Sequence, residues 1–126
     1  MTNATAPFPT LHLRLTFRDG SWIGPGKADL LQGIAETGSI AAAGRRMKMS
    51  YKRAWGLAEV LNAMFSAPLI ASTRGGAGHG GASLTVHGQQ VLAHYRALQA
   101  RAAAAAQDEI AALMALAAPT DMVNRK

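Results

Sequence analysis

Basic side chains are concentrated in one short stretch of the sequence. Between Gly38 and Arg53 no residue is acidic, and the basic ones are Arg45, Arg46, Lys48, Lys52 and Arg53. Cations at this spacing bind phosphate groups, and lysine or arginine also donates hydrogen bonds to O6 and N7 of guanine in a major groove. The stretch therefore predicts contacts with double-stranded DNA, if the surrounding elements hold these side chains on one face.

Two short helices are predicted to position the basic side chains. Ser39 is suited to cap the first helix, and Ser50 is suited to cap a second one that begins at Tyr51. A turn of only about three residues forces the helices to cross steeply, which is typical of a helix-turn-helix. The second helix is then free to enter a major groove. The apolar positions of the first helix are Ile40, Ala43 and Met47.

The helix after Ser50 has two distinct faces. Its apolar stripe consists of Ala54, Ala58, Leu61 and Phe65, and the opposite face, predicted to be exposed, carries Lys52, Gly56, Glu59 and Ala63. A glycine inside a helix costs about 1 kcal/mol, so Gly56 either marks the close approach of a backbone or sugar-phosphate or is simply tolerated. Trp55 lies at the border of the two faces, where its indole ring can cover the edge of the core and direct its N–H outward to a polar group.

Each candidate DNA contact has a structural alternative. Lys52 and Arg53 are predicted to reach base edges, and the alternative is a solvated surface. Tyr51, which follows the capping Ser50, either donates to a phosphate or packs against the first helix of the motif. Arg45, Arg46 and Lys48 are candidate contacts to the DNA backbone. In the wing, Arg74 and His79 are predicted to follow the sugar-phosphate edge or to enter a minor groove, and the alternative is a mobile loop that makes no contact with DNA. Ser50, Trp55 and Gly56 complete the candidate DNA-binding set.

The rest of the sequence predicts a hairpin, a first helix and a second hairpin. Residues 11–17 alternate apolar and polar side chains, typical of a strand with one buried face, and residues 21–23 are predicted to return beside it. Leu30, Leu31, Ile34 and Ala35 share a helical face that ends at Gly38. Strands at 69–74 and 82–85 enclose a glycine-rich loop. The order strand, helix, helix, helix, strand, strand is that of a winged helix.

A long alanine-rich helix is predicted from Val86 to Leu116. Its length of about 45 Å exceeds what a core of this size covers, so the apolar stripe needs another partner. The simplest partner is the same helix of a second copy, which predicts a two-fold homodimer. The candidate dimerisation residues are Val91, Tyr95, Leu98, Ala102, Ile110 and Leu113.

The predicted fold class is mainly α with a small β component, a winged helix-turn-helix followed by the long dimerisation helix. The boundaries are a flexible N-terminus (1–10), the DNA-binding domain (11–85), the dimerisation helix (86–118) and a flexible tail (119–126). The net charge of +6 and the isoelectric point near 10.6 favour a polyanionic partner.

Composition and spacing exclude several function classes. Cysteine is absent, which excludes disulfides and thiolate sites. Without a signal peptide or an apolar run of about 18 residues, a soluble cytoplasmic protein with no membrane partner is expected. His87 and His94 are too far apart for adjacent-turn metal ligands, and the glycine run lacks the Lys-Ser or Lys-Thr of a phosphate loop. We therefore expect neither an enzyme nor a metal or other cofactor.

The motifs together resemble the N-terminal DNA-binding domain of the molybdate-responsive ModE regulators and, more distantly, that of LysR-type regulators. The resemblance rests on residues 38–40, 49–55, the glycine-rich wing 74–81, 84–85 and 88–89. It implies a homodimeric repressor or activator that binds a palindromic operator. Molybdate sensing in that family uses modules that follow the long helix. Because the sequence ends at Lys126, this chain is not expected to bind molybdate. The alternative is a winged-helix module that holds a protein partner without sequence-specific DNA binding.

Overall fold

The computed structural model describes residues 9–74 and 80–119. Its contacts divide the chain into two compact units. The larger unit is His12–Ala97, and the described part of the other consists of residues 9–11 and 98–119.

The element order confirms the predicted winged helix-turn-helix. A short antiparallel hairpin comes first, β1 (Leu15–Thr16) with β2 (Trp22–Ile23), in the register Leu15 opposite Ile23. Three helices follow, and a second antiparallel pair forms the wing, with Ile70 opposite Leu84. Two helices end the described chain. The remaining elements are α1 (Pro25–Thr37), α2 (Ile40–Arg46), α3 (Tyr51–Met64), β3 (Ile70–Arg74), β4 (Gly80–Leu84), α4 (Val86–Ala105) and α5 (Gln107–Leu116).

The first strand is shorter than predicted. The alternating pattern predicted a strand over residues 11–17 with one buried face, but β1 has only two residues and both are exposed. The reason lies in β2, the strand that pairs with β1. Gly24 and Pro25 end β2 after two residues, so residues 11–14 have no strand to pair with.

The core is built on close contacts between the first three helices. Leu30, Leu31 and Ile34 of α1 are fully buried, as predicted. Gly33 of α1 faces Ala43 of α2 so closely that a Cβ on the glycine would lie 2.8 Å from the Ala43 Cβ. Gly44 of α2 meets Ala54 of α3 in the same way, at 2.7 Å. Small residues therefore set the spacing of these helices. The core also takes in Leu61 and Leu69, both fully buried.

The start of α4 is fixed to the chain before the wing. The Thr85 hydroxyl donates to the Pro68 carbonyl (2.7 Å) and accepts from the Gly88 backbone N–H (2.9 Å). A Cβ at Gly88 would lie 2.1 Å from the Leu69 carbonyl oxygen, so α4 starts with its backbone against that of Leu69. Tyr95, one of the predicted dimerisation residues, is only 3% exposed, and its hydroxyl donates to the Leu13 carbonyl (2.6 Å). Its side chain belongs to the core of its own chain.

The C-terminal helix is not continuous as predicted. It is interrupted at Ala106, whose φ of −101° and ψ of 12° are outside ideal helix values. Backbone hydrogen bonds still run from Ala106 N to the Ala102 carbonyl and from Ile110 N to the Ala106 carbonyl. Asp108 and Glu109 then occupy the first turn of α5, where the helix dipole favours acidic side chains. The sequence signal for this new helix start is the acidic pair. The spacing of apolar residues alone does not reveal it.

The glycine contacts give a stability prediction with a matched control. In Gly33→Ala the new methyl group overlaps Ala43, and we expect a loss of about 1–3 kcal/mol from overpacking. A Cβ at Gly56 meets no atom within 4 Å, so Gly56→Ala should gain about 0.4–1 kcal/mol. Urea unfolding followed by circular dichroism measures both variants. Equal effects of the two substitutions would contradict the packing described here.

Candidate nucleic-acid interface

Both helices of the helix-turn-helix are capped by the predicted serines. The Ser39 hydroxyl accepts from the Ala42 backbone N–H, and the Ser50 hydroxyl accepts from the Arg53 backbone N–H, each at 3.0 Å. Each contact satisfies one of the N–H groups that a helix start leaves without an intrahelical partner. The first turn of α3, which carries the basic residues, is thereby fixed in place.

The turn between α2 and α3 is a tight, hydrogen-bonded helix end. Met49 N donates to the Gly44 carbonyl and Lys48 N donates to the Arg45 carbonyl, both at 3.0 Å, which is the bonding pattern of a Schellman motif. Lys48 occupies the left-handed position of that motif, with φ at 58°. Glycine is the usual residue there because a Cβ is strained in this region. A lysine at this position keeps a cation beside the start of α3 at some cost in backbone strain.

One face of α3 is open, as the sequence predicted. Ala54, Ala58 and Leu61 are buried, whereas the opposite face is exposed along the whole helix. No atom lies within 4 Å of the position that a Gly56 Cβ would take. On the open face, the first turn of α3 therefore carries basic side chains, and the second turn carries Gly56, which has no side chain. Its exposed residues are Lys52, Arg53, Gly56, Glu59, Val60 and Ala63.

Two aromatic rings lie at the edge of this face. Tyr51 is 61% exposed, and its ring meets that of Trp55 edge to face, with the ring centroids 6.1 Å apart. Trp55 is half-buried and packs against the core, in agreement with the core-edge interpretation. Its indole Nε1 is buried, and no hydrogen bond to this N–H is made by residues 9–74 and 80–119.

The basic residues around the turn are exposed, but one of them is already paired. Arg46 Nη1 lies 2.6 Å from Glu36 Oε1, and Gln32 Nε2 donates to the other oxygen of that carboxylate at 2.9 Å. The hydrogen bond from Arg46, followed by that from Gln32, lowers the pKa of Glu36. The sequence analysis missed this pair because Glu36 belongs to α1. Arg46 therefore brings less net positive charge to the turn than Arg45 or Lys48.

The wing is tied to α3 through one side chain that the sequence analysis overlooked. Asn62 Oδ1 accepts from the backbone N–H groups of Leu69 (2.9 Å) and Ile70 (2.8 Å), and its Nδ2 donates to the Ile70 carbonyl (3.1 Å). Arg74 ends β3 with its backbone opposite Gly80, and His79 lies outside the described residues. The sequence does contain a signal for this role of Asn62. It is a polar residue next to the buried Leu61, on the inner side of an amphipathic helix, where a polar side chain needs hydrogen-bond partners.

Two cationic side chains that were not predicted, Lys27 of α1 and Arg14, lie against Trp22 of the N-terminal hairpin. Lys27 is 6% exposed, and its Nζ donates to the Trp22 carbonyl (2.8 Å) and lies 3.8 Å from the Trp22 ring centroid. The Arg14 guanidinium lies 4.2 Å from the same ring centroid. Burial, and then the nearby charge of Arg14, lowers the pKa of Lys27. These contacts hold the hairpin on the start of α1.

Similar proteins support the fold and the resemblance. No protein-family model matches the chain. The molybdenum-pterin-binding protein MopB of Rhodobacter capsulatus is 40% identical over 83 residues, which are 66% of this chain and 31% of that protein. The molybdenum transport protein ModE of Azotobacter vinelandii is 39% identical over 70 residues, or 56% and 26% of the two chains. The DNA-binding transcriptional dual regulator ModE of Escherichia coli K12 is 34% identical over 83 residues, or 66% and 32%.

Solved structures show the same architecture. The DNA-binding domain of CbnR, in a complex with DNA, superposes with a TM-score of 0.57 at 24% identity, covering 70% of this chain and 95% of that one. The LysR family transcriptional regulator VV2_1132 gives a TM-score of 0.50 at 18% identity, covering 66% and 27%. The chain has a winged helix-turn-helix fold, and its predicted resemblance to ModE-type and LysR-type regulators is confirmed. It spans 31%, 26% and 32% of the three relatives named above.

None of the helices in residues 9–74 and 80–119 is long and apolar enough to span a membrane.

The turn geometry predicts a difference between two substitutions of one residue. Lys48→Gly and Lys48→Ala both remove the charge, but only glycine relieves the left-handed backbone. We expect Lys48→Gly to be more stable than Lys48→Ala by about 1 kcal/mol in urea unfolding. Equal stabilities of the two variants would contradict the left-handed conformation of this turn.

Proposed function

We propose that the chain is a DNA-binding transcriptional regulator that binds a palindromic operator as a homodimer, with α3 in the major groove. The observation that carries the proposal is the open face of α3, which begins with Lys52 and Arg53 and is held outward by the packing of α1 and α2. The names of the relatives and the DNA-bound domain with the same fold support it. Molybdenum, which is named for two of the relatives, is not part of this proposal.

The residues have separate roles in the proposed complex. Lys52 and Arg53 reach base edges from the first turn of α3. Ser50 and Tyr51, at the start of the same helix, lie where the DNA backbone passes, and Trp55 supports the Tyr51 ring. Gly56 permits close approach. Phosphate contacts around the turn and from the wing are assigned to Arg45, Lys48, Arg74 and His79, with a smaller part for the paired Arg46.

The proposed dimer uses the apolar surface of the C-terminal unit. Leu113 is 68% and Leu116 83% exposed, and Leu98 and Met114 are exposed as well. Exposed apolar side chains grouped in this way mark an interface, and a second copy of the chain matches the two-fold symmetry of a palindromic site. Of the six residues predicted from the sequence, Leu98, Ala102, Ile110 and Leu113 remain in the proposal. Tyr95 leaves it because it is buried, and Val91 because it packs against the core.

The assigned roles predict two kinds of binding defect. Lys52→Ala and Arg53→Ala remove base contacts, so we expect operator affinity to fall by about 1–3 kcal/mol while the affinity for random duplexes changes much less. Arg45→Ala removes a phosphate contact and should weaken binding to every duplex and reduce the salt slope. Fluorescence anisotropy with a selected operator and a scrambled duplex, at several salt concentrations, measures both effects.

Equal losses on both duplexes for all three variants would contradict these roles. If the wild-type chain binds neither duplex at low salt, the DNA-binding proposal itself fails, and the protein-interaction alternative takes its place.

The dimer proposal is tested by charge substitutions on opposite faces of α5. Leu113 lies on the same side of the helix as Ile110 and Met114, whereas Ala115 lies on the other side. A buried unpaired carboxylate is costly, so Leu113→Glu should convert the dimer to a monomer, whereas Ala115→Glu should leave it intact. Sedimentation equilibrium measures the masses. A monomeric wild-type chain, or a dimer that tolerates Leu113→Glu, would refute the interface.

A further inference from the structure

A single acidic side chain lies on the open face of α3. Glu59 is the only acidic residue between Gly38 and Tyr95, a segment otherwise rich in basic residues. It is exposed, and it shares the open face with Lys52, Gly56 and Ala63. If α3 meets DNA, this carboxylate faces a polyanion, where a side chain without a specific contact lowers affinity through charge repulsion.

Within the described part of the chain, no ion pair and no helix-capping position accounts for Glu59. The residues one turn away on α3 are Trp55, Gly56, Asn62 and Ala63, none of which is basic. Among the described side chains the ion pairs are Arg46 with Glu36 and Arg96 with Asp29, so neither uses Glu59. The helix dipole favours an acid in the first turn of a helix, but Glu59 lies beyond the first turn of α3. Its carboxylate is therefore available to a ligand.

The neighbouring glycine brings the helix close to whatever lies on this face. Gly56 precedes Glu59 by one turn and presents no side chain, and the space that its Cβ would take is open. A backbone that approaches the groove floor at Gly56 places the next turn within reach of base edges. A carboxylate can only accept hydrogen bonds, and the major groove offers two amino donors, cytosine N4 and adenine N6. Cytosine N4 is the donor that glutamate and aspartate typically contact, because adenine N6 lies beside the N7 acceptor of the same base.

We propose that Glu59 is a specificity-determining residue that accepts a hydrogen bond from the N4 amino group of a cytosine, with Gly56 allowing α3 the necessary approach. This inference rests on the proposed function, because it requires α3 to lie in the major groove. Lys52 and Arg53 then select guanine one to two turns away on the same helix. The open face thus reads more than one base pair.

Selection from a random duplex pool tests the inference. The wild-type chain, Glu59→Ala and Glu59→Gln are each used to enrich sequences, and anisotropy then gives their affinities for the wild-type operator and for a scrambled duplex. We expect Glu59→Ala to lose preference at one G·C pair and to bind the operator about 10- to 100-fold more weakly. Its affinity for the scrambled duplex should be unchanged or higher, because a like charge has gone. Glu59→Gln should move the preference towards adenine, since an amide pairs with N6 and N7.

Control variants separate this result from general electrostatics. Asp108→Ala removes an exposed acid from the side of α5 that carries Ala115, away from the proposed dimer interface, and should preserve the enriched sequence. Because Glu59 is exposed, its variants should keep the helix content of the wild-type chain by circular dichroism. If Glu59→Ala binds both duplexes more tightly by the same factor and enriches the same sequence, the inference is wrong while the proposed function stands. If the wild-type chain enriches no sequence, the proposed function fails and the inference fails with it.

Discussion

The close contact between Gly44 of α2 and Ala54 of α3 determines what α3 can do. A Cβ at Gly44 would lie 2.7 Å from that of Ala54, so the two helices are as near as their backbones allow. The similar contact of Gly33 with Ala43 holds α2 on α1. With both contacts made, Ala54, Ala58 and Leu61 of the apolar stripe of α3 are buried inside the domain. The opposite face, with its basic first turn, is left for a partner.

The wing belongs to the same rigid arrangement. Asn62 binds the backbone at Leu69 and Ile70, and the Ala82 backbone N–H donates to the carbonyl of Gly38, which ends α1 (2.9 Å). Three helices and the base of the wing are therefore fixed to one another through short polar contacts and close backbone packing. A helix that is already ordered in the free protein binds DNA more tightly, because little conformational entropy is lost on binding.

Much of this arrangement is predictable from the sequence because it depends on local chemistry. The Ser39 and Ser50 caps, the two faces of α3 and the element order follow from spacing alone. The interruption at Ala106 also has a local signal, the acidic pair that follows it, whereas other failures involve contacts between distant residues. The Arg46–Glu36 pair joins two helices, and the hydroxyl of Tyr95 bonds to Leu13, 82 residues earlier. The spacing of apolar residues places Tyr95 in the apolar stripe of the C-terminal helix. It does not indicate whether a second copy or the core of the same chain covers that residue.

The proposed function requires the open face of α3 to lie against DNA. Chemical-shift mapping of the isotope-labelled chain with a selected duplex tests this most directly, since it reports on each backbone amide. With α3 in the major groove, the largest changes are expected in the turn and along the open face, at Lys48, Lys52, Gly56 and Glu59. Changes confined to α5 or to the N-terminal hairpin, with the amides of α3 unaffected, would contradict it.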